Sequence, residues 1–255
     1  MNMFRKSVDK VSFLSYDLNM FKQEIAACNA PKKSLGEKTR ALILEKALEM
    51  FRKEGFEAAT IRDIAKSAKV ATGAAYYYFP SKEAIVAAYY DHVQVRHEGK
   101  VRELILGTTD LRERLGIAIH SKLDILKEDR KFLGALFRYA GEPDHPLSVF
   151  GKGTKGQRAH SIGIFSEAIG DAEITGELRQ LLPWALWVVH LGAILFFIYD
   201  GSAEQRRTHA LVNGVLDLVT QFLKLTNAPV MRTLLQPFQA KMLGILKEAG
   251  WPLES

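Results

Sequence analysis

The residues best suited to chemistry lie in one stretch, Thr60–Glu83, and the chemistry they suit is contact with a nucleic acid. Thr72 carries a hydroxyl and a methyl group, which can meet a base edge and a thymine methyl. Tyr76 and Tyr77 add rings and hydroxyl groups one turn further on. Lys82 stands at a helix start, where its ammonium and the free amides can together hold a phosphate. This combination predicts a DNA-contacting surface.

Two short helices joined by a tight turn are needed to position these groups. Thr60 is expected to cap the first helix, and Asp63 closes a box-like cap three residues later. The second helix is predicted over Ala71–Tyr77 and ends before Pro80, after which Ser81 caps the next helix. Such a pair is the geometry of a helix-turn-helix, whose second helix enters the major groove. The alternative is an αα corner in an unrelated helical protein.

Small side chains on the second helix would allow its backbone to come close to the base edges. The predicted DNA-binding residues are Thr60, Ala71, Thr72, Gly73, Ala74, Tyr76, Tyr77 and Lys82.

The run V-A-T-G-A-A-Y-Y-Y-F-P-S-K-E-A-I, residues 70–85, is similar to the signature of the TetR family of bacterial transcriptional repressors. The similarity extends from about Lys38 to His92. Three positions depart from the family pattern: Lys69 replaces the usual turn glycine, Ala71 a frequent Ser or Thr cap, and Ala75 a usual Leu. Because a lysine is strained in a turn made for glycine, Lys69 predicts left-handed backbone strain or an altered turn.

The resemblance implies an all-α protein with an N-terminal three-helix helix-turn-helix domain and a larger helical domain for ligand binding and dimerisation. It further implies a DNA-binding regulator without a cofactor, a repressor released from double-stranded operator DNA by a small molecule. The expected domains are an N-terminal extension at 1–36, loosely ordered, a DNA-binding domain at 37–97 with the helix-turn-helix at about 60–79, and an effector-binding and dimerisation domain at 98–255.

Composition agrees with this interpretation but does not establish it. The 255 residues are 47% hydrophobic, which is ample for a packed core, and 35 Lys and Arg face 29 Asp and Glu. The basic surplus lies in and around the proposed DNA-binding end, yet it is too small to identify a nucleic-acid binder by itself. Cys28 is the single cysteine, so an internal disulfide and a thiolate zinc site are excluded, and a reducing cytoplasm is expected.

Helical periodicity continues through the rest of the chain, with no alternating run that suggests a sheet. A first helix is predicted over Glu37–Glu54, and a fourth over Lys82 to about Lys100, with Tyr89 and His92 on its apolar stripe. The predicted body helices are Leu111–Lys127, Lys131–Ala140, Gln157–Gly170, Glu177–Tyr199, Glu204–Leu225 and Val230–Ala249.

The segment Leu181–Tyr199 contains no formal charge and by length alone could span a membrane. The family resemblance offers another explanation, in which the last two core helices pack against their copies in a second subunit. A helix that is apolar all round is expected where both sides are buried. We therefore expect a homodimer, without a membrane, whose interface includes Trp187, Leu191 and Phe197.

An apolar or aromatic effector is expected inside the body, because its helices are rich in Trp and Phe with a few polar residues among them. The predicted pocket residues are His120, Phe132, Phe137, Tyr139, Phe165, Trp184, Trp187 and His190. For each of these, ordinary core packing is the alternative. No metal-binding histidine spacing, nucleophile elbow or paired carboxylates point to an enzyme, although a helical enzyme with an unfamiliar site remains the second alternative beside the membrane protein.

Overall fold

The computed structural model describes residues 34–142, 144–174 and 176–248, and these residues form helices and connecting turns without a strand. The N-terminal helices are α1 (Leu35–Glu54), α2 (Ile61–Ser67), α3 (Thr72–Tyr78) and α4 (Lys82–Ile105). The body helices are α5 (Leu111–Leu126), α6 (Arg130–Ala140), α7 (Lys155–Ile169), α8 (Glu177–Tyr199), α9 (Arg206–Asn227) and α10 (Pro229–Glu248). The all-α prediction is confirmed. Cys28 and most of the proposed N-terminal extension lie outside the described residues.

Local capping explains where the first helices begin. α1 starts at Leu35, before the predicted Glu37, because Ser34 and Glu37 cap it reciprocally: the Ser34 amide donates to Glu37 Oε2 at 2.7 Å and the Glu37 amide to Ser34 Oγ at 3.2 Å. The described residues from Ile43 to Glu248 form one compact unit.

The long helix α4 joins the helix-turn-helix to the body. It packs against α5 and α7, so its buried stripe follows Tyr89, Val93 and His97. The prediction that His92 belongs to this stripe is wrong, because His92 is exposed. An α-helix has 3.6 residues per turn, and the buried stripe of a helix that packs against two neighbours lies on the side between them.

Aromatic packing makes the hydrophobic core continuous between the DNA-binding helices and the body. Phe51 on α1 stacks on Phe132 of α6 with ring centroids 5.4 Å apart, and Tyr89 meets Phe132 edge-on at the same distance. These three side chains are almost fully buried. Helices α1, α4 and α6 are therefore in direct contact through these rings.

Helix α8 is long and apolar enough over Leu178–Tyr199 to cross a membrane, with a mean hydropathy of 2.1. Half of this segment is buried inside the protein, where α8 packs against α6, α7 and α9. Its C-terminal carbonyls accept hydrogen bonds from Arg130, which fastens the end of α8 to the start of α6.

Candidate DNA-binding face and ligand cavity

Helix α2 is held by the cap that the sequence predicts. Thr60 has extended backbone geometry and its Oγ1 accepts from the Asp63 amide at 3.2 Å. The turn that follows passes through Lys69, whose φ of 54° is left-handed as expected from the missing glycine. The Val70 amide donates to the Ala65 carbonyl at 3.0 Å, which closes the turn and directs the chain into α3.

Helix α3 presents small and aromatic residues to solvent. Thr72, Gly73, Tyr76 and the capping residue Ala71 are exposed, and Tyr77 is 82% exposed. A Cβ on Gly73 would meet no other group of the protein, so its lack of a side chain leaves free space outside the helix. The helix is anchored by its other side, through the fully buried Ala75 and by Phe79 just beyond it, while Ala74 lies at the boundary.

Lys82 has an intramolecular role that the sequence does not reveal. Its ammonium donates to the carbonyls of Phe56 at 2.7 Å and Glu57 at 3.2 Å, and it lies 4.6 Å from the Phe56 ring centroid. Because an ammonium has three N–H donors, one is left for the predicted phosphate contact.

Additional basic groups lie on the same helix pair and were not predicted as contacts. They are Arg62, Lys66 and Lys69, all exposed. Their positions on α2 and in the turn suit contacts to the DNA backbone, which carry affinity but no sequence information.

A cavity of about 160 Å³ lies inside the body. Its wall comes from α4, α5, α6, α7, α8 and the segment before α7. Most of the wall is apolar, with Tyr89, Leu133, Phe137, Trp187 and Ile194 among its members. An enclosed apolar space of about 150 Å³ is enough to bind benzene, so this cavity has the size of a small organic molecule.

The predicted pocket residues are divided by the structure into two groups. Phe137, Trp187 and His190 line the cavity. The other five lie elsewhere: Phe132, Phe165 and Trp184 are buried in the core around it, Tyr139 pairs with Glu57, and His120 lies between α5 and α9 near His209 and Asn213. Aromatic type alone did not distinguish wall from core, because both environments are apolar.

A cluster of polar side chains interrupts the apolar wall. Lys122 on α5 donates to Gln94 Oε1 on α4 at 3.2 Å, and Ser161 on α7 donates to the same oxygen at 3.0 Å. His190 on α8 lies in the same wall, with its ring stacked 6.0 Å from that of His97. Sequence analysis missed Lys122, Gln94 and Ser161. The available signal was Lys122 itself, a charge on the apolar stripe that Leu115, Ile119 and Leu126 continue.

Burial controls the charge of this cluster. Desolvation lowers the pKa of Lys122 to about 7. Desolvation, then the charge of Lys122, lowers the pKa of His97 to about 3, and burial also lowers that of His190. Both histidines are therefore neutral at pH 7, and Lys122, which is about half protonated at that pH, supplies the positive charge of the cluster.

One carboxylate connects the cavity wall to the DNA-binding helices. Asp129 is buried and accepts from the Tyr89 hydroxyl at 2.7 Å and from Arg52 Nε on α1 at 2.5 Å. Burial, followed by the nearby Asp129 charge, raises the pKa of Tyr89 far above its usual value, so the hydroxyl remains a donor. Since Tyr89 also lines the cavity, the Tyr89–Asp129–Arg52 hydrogen bonds connect the cavity wall to α1.

The residues predicted at the dimer interface lie on the inner side of α8. Trp187 and Phe197 are 3% and 1% exposed within one protomer, and Leu191 lines the cavity. Because α8 is apolar on all sides, its sequence does not indicate which side faces the core. Its outer side carries exposed Val188, Phe196 and Tyr199, and α9 carries an exposed apolar stripe through Leu211, Leu218, Phe222 and Leu225.

No group of three or more His, Cys, Asp or Glu side chains suited to a metal ion occurs within the described part of the chain. The charged side chains that line the cavity are the two cations Lys122 and Arg158, and none of the described lining residues is acidic.

The DNA-binding helices and the body both match models of one protein family. Residues 43–89 match the model for bacterial regulatory proteins of the tetR family, and residues 114–238 match that for the tetracyclin repressor-like C-terminal domain. The structure is similar to that of the TetR transcriptional regulator from Nitrosomonas europaea ATCC 19718, with a TM-score of 0.59 and 19% identity over 71% of this chain and 98% of that one. This likeness shows the fold.

Two curated relatives add sequence similarity over shorter stretches. The uncharacterized HTH-type transcriptional regulator YuxN of Bacillus subtilis (strain 168) is 42% identical over 59 residues, 22% of this chain. The HTH-type transcriptional repressor KstR2 of Rhodococcus jostii (strain RHA1) is 30% identical over 110 residues, 39% of this chain. The chain spans 20% of the length of the first relative and 54% of the second. From the two matched models and the shared fold, this chain belongs to the TetR family of bacterial regulatory proteins.

Proposed function

We propose that this protein is a cytoplasmic, homodimeric transcription regulator, a repressor that binds operator DNA through α3 and leaves it when a small molecule occupies the body cavity. The observation that carries the proposal is the exposed face of α3, with Thr72, Gly73 and Tyr77 directed to solvent on a capped helix pair. Repression is supported by the name of the KstR2 relative.

Operator recognition follows from the geometry of a helix-turn-helix dimer. Two copies of α3 would enter successive major grooves, at half-sites roughly 34–36 Å apart on a pseudo-palindrome. Thr72 is placed to read a base edge, and Tyr76 and Tyr77 to border the groove. Arg62, Lys66 and Lys69 supply phosphate contacts beside the remaining donor of Lys82.

The outer sides of α8 and α9 are the proposed dimer interface. Val188 and Phe196 are two turns apart on α8, and Leu218, Phe222 and Leu225 follow helical spacing on α9. Exposed apolar area of this extent is typical of an interaction surface. Pairing with a second copy would make a four-helix bundle and would cover α8 on both sides, so its apolar length needs no membrane.

Ligand release of the operator requires that the cavity and the recognition helices share a two-state element. Helix α4 and Asp129 provide the connection, because Tyr89 and Leu133 in the cavity wall adjoin the Arg52–Asp129 pair and the Phe51–Phe132 stack. A ligand that moves α4 or α6 changes the position of α1 and hence of α3. The enzyme alternative gains no support from the comparisons, which point to regulators.

Selection of bound DNA from a random pool, with the full-length protein, tests the proposal. We expect enrichment of an inverted repeat whose half-site centres are roughly 10–10.5 base pairs, or a multiple of this, apart. The variant Tyr77→Ala should bind this DNA more weakly, whereas Leu106→Ala, which removes an exposed side chain just after α4 and outside the proposed interface, should bind it nearly as the parent does. Failure to enrich any sequence, or equal binding by both variants and the parent, would overturn the assignment of α3.

A further inference from the structure

We propose that the body cavity recognises a monocarboxylate: a small apolar or aromatic acid whose carboxylate binds between Lys122, Gln94 and His190. This inference rests on the proposed function of the body as a ligand receptor and names the chemical class of the ligand. It is carried by the geometry of three polar side chains from three different helices.

Lys122 is a buried cation whose partner is a neutral amide. The residue is 8% exposed and its ammonium donates to Gln94 Oε1 at 3.2 Å. None of the ion pairs among the described residues includes Lys122, and none of the described residues in the cavity wall is acidic. A buried ammonium with only one neutral acceptor is expensive to keep, and an anion would stabilise it.

The side-chain amide nitrogen of Gln94 lacks a hydrogen-bond partner. Its Oε1 accepts from both Lys122 and Ser161, which fixes the amide orientation, because the flipped amide would place its NH₂ group against the ammonium. Nε2 is consequently a donor, and it is buried without a hydrogen-bond partner. Gln94 is 5% exposed and lines the cavity, so a molecule bound there is the partner that we assign to this donor.

His190 adds a second buried polar atom without a partner. Its Nδ1 makes no hydrogen bond within the described structure, although the residue is 3% exposed and lines the cavity. A neutral imidazole can choose the tautomer that carries the proton on this nitrogen, and it then donates. An acceptor group with several lone pairs would satisfy Lys122, Gln94 and His190 together, and a carboxylate has about four such positions.

Charge and size together favour a monocarboxylate over a phosphate. The polar cluster contains one cation, Lys122, because the other cation of the wall, Arg158, donates from Nη1 to the Val149 and Gly151 carbonyls. One cation balances one negative charge, whereas a phosphate monoester carries about −1.5 to −2. The cavity of about 160 Å³ matches an apolar body of ring size, and most of its remaining wall, which includes Leu133, Phe137, Leu191 and Ile194, is apolar. Acids of the size of phenylacetate or hexanoate fit both conditions.

Proton uptake gives a signature that apolar binding alone would not produce. Besides Lys122, the titratable side chains that line the cavity are Tyr89 and Tyr90 on α4, Arg158 on α7 and His190 on α8, and the His97 ring stacks on that of His190. Burial lowers the pKa of Lys122 to about 7, and a bound carboxylate would raise it. Above pH 7 the free protein must take up a proton to bind the acid, so affinity should fall by up to about tenfold per pH unit from 7 to 9. Affinity for a neutral ligand should not follow this slope.

The experiment uses the full-length protein and pairs of matched probes: phenylacetate against 2-phenylethanol, and hexanoate against 1-hexanol. Thermal-shift measurements and calorimetric titration at pH 6, 7, 8 and 9 give the affinities. We expect the acids to bind more tightly than the alcohols, with the pH slope described above. Lys122→Met keeps the length of the side chain and removes the charge, and should weaken acid binding roughly 10–100-fold with little effect on alcohols. Lys131→Met, at an exposed position on α6, is the control and should bind the acids as the parent does.

Gln94→Glu provides a second, isosteric variant. The introduced carboxylate should pair with Lys122 and occupy the role of the ligand, so acids should lose binding while alcohols retain it. Alcohols that bind as well as the acids, or acids that bind unchanged to Lys122→Met, would overturn the carboxylate site but leave a receptor for apolar ligands. Failure of both acids and alcohols to bind would also overturn it. Operator binding, measured separately by gel shift, shows whether the proposed function fails as well.

Discussion

The recognition helix α3 and the body cavity differ in where their polar groups are kept. Thr72 and Tyr77 are exposed on α3, where water satisfies them until DNA replaces it. Lys122 and Gln94 are buried in the cavity wall, where an unsatisfied donor is costly. The exposed surface can therefore discriminate among partners at little cost to stability. The buried cluster gives up stability in the free protein, and a ligand restores it on binding.

The largest expected effect concerns the exposed apolar stripe of α9. Leu218→Glu places a charge on the outer stripe of α9, where Leu218 is 67% exposed and the protomer fold does not need it. We expect monomers in sedimentation, and operator affinity in gel shifts lower by about 10²-fold or more, because two half-sites are no longer tethered. Lys224→Glu, at an exposed position of the same helix outside this stripe, should remain dimeric. A dimeric Leu218→Glu protein with the parent's operator affinity would remove α9 from the interface.

Low pH should lower the stability of the buried cluster in the body and leave the exposed helix α3 unaffected. The pKa of His97 is about 3 in the folded protein and about 6.5 when unfolded, so the unfolded chain binds the proton first as pH falls. Stability is complete above pH 6.5 and declines toward pH 3. Between pH 6.5 and 5, His97 alone should account for a loss of about 2 kcal/mol, at about 1.4 kcal/mol per pH unit.

Urea unfolding between pH 5 and 7 measures this loss. His97→Gln keeps a donor for the Ala118 carbonyl, which His97 Nε2 contacts at 2.7 Å, and should lower the pH slope by one proton. His92→Gln, at an exposed position on the same helix, should keep the parent's slope. If the slope is the same in all three proteins, the buried histidine is not the acid-sensitive group.

The two regions also differ in how far the sequence predicts them. The Thr60 cap, the Lys69 turn and the Ser81 cap depend on neighbours within a few residues, so the helix-turn-helix could be read from the chain. The cavity joins Gln94, Lys122, Ser161 and His190 from four helices, and no local pattern connects them. On α8, apolar residues occur all round, so periodicity could not assign Trp187 to the interior and Val188 to the outside.

The connection between the cavity and the DNA-binding helices can be weakened while both binding sites are kept. Asp129→Asn keeps the shape of the side chain and removes the charge shared by Arg52 and Tyr89. We expect operator and ligand each to bind separately, with the coupling between them lower by about 0.5–2 kcal/mol. Gel shifts with and without a ligand found by screening give this coupling as a ratio of affinities.

Glu128→Gln is the matched control, since it neutralises the adjacent carboxylate at an exposed position. The control should respond to ligand as the parent does. If Asp129→Asn does so too, the coupling follows another route, for which the Phe51–Phe132 stack is the next candidate.

The smallest effect is expected on α3 itself and should leave stability untouched. Thr72 is exposed, so Thr72→Ala should change the free energy of unfolding by no more than about 0.5 kcal/mol. Its hydroxyl or methyl contact with one base should nevertheless be lost, at about 1 kcal/mol, the low end for base contacts. A set of operators with single base-pair changes, titrated at fixed salt, should show relaxed preference at one position in each half-site and unchanged preference elsewhere. Thr233→Ala, an exposed threonine of α10, should keep the parent's profile. A uniform loss at every position would mean that Thr72 contacts the DNA backbone and that sequence is read by its neighbours on α3.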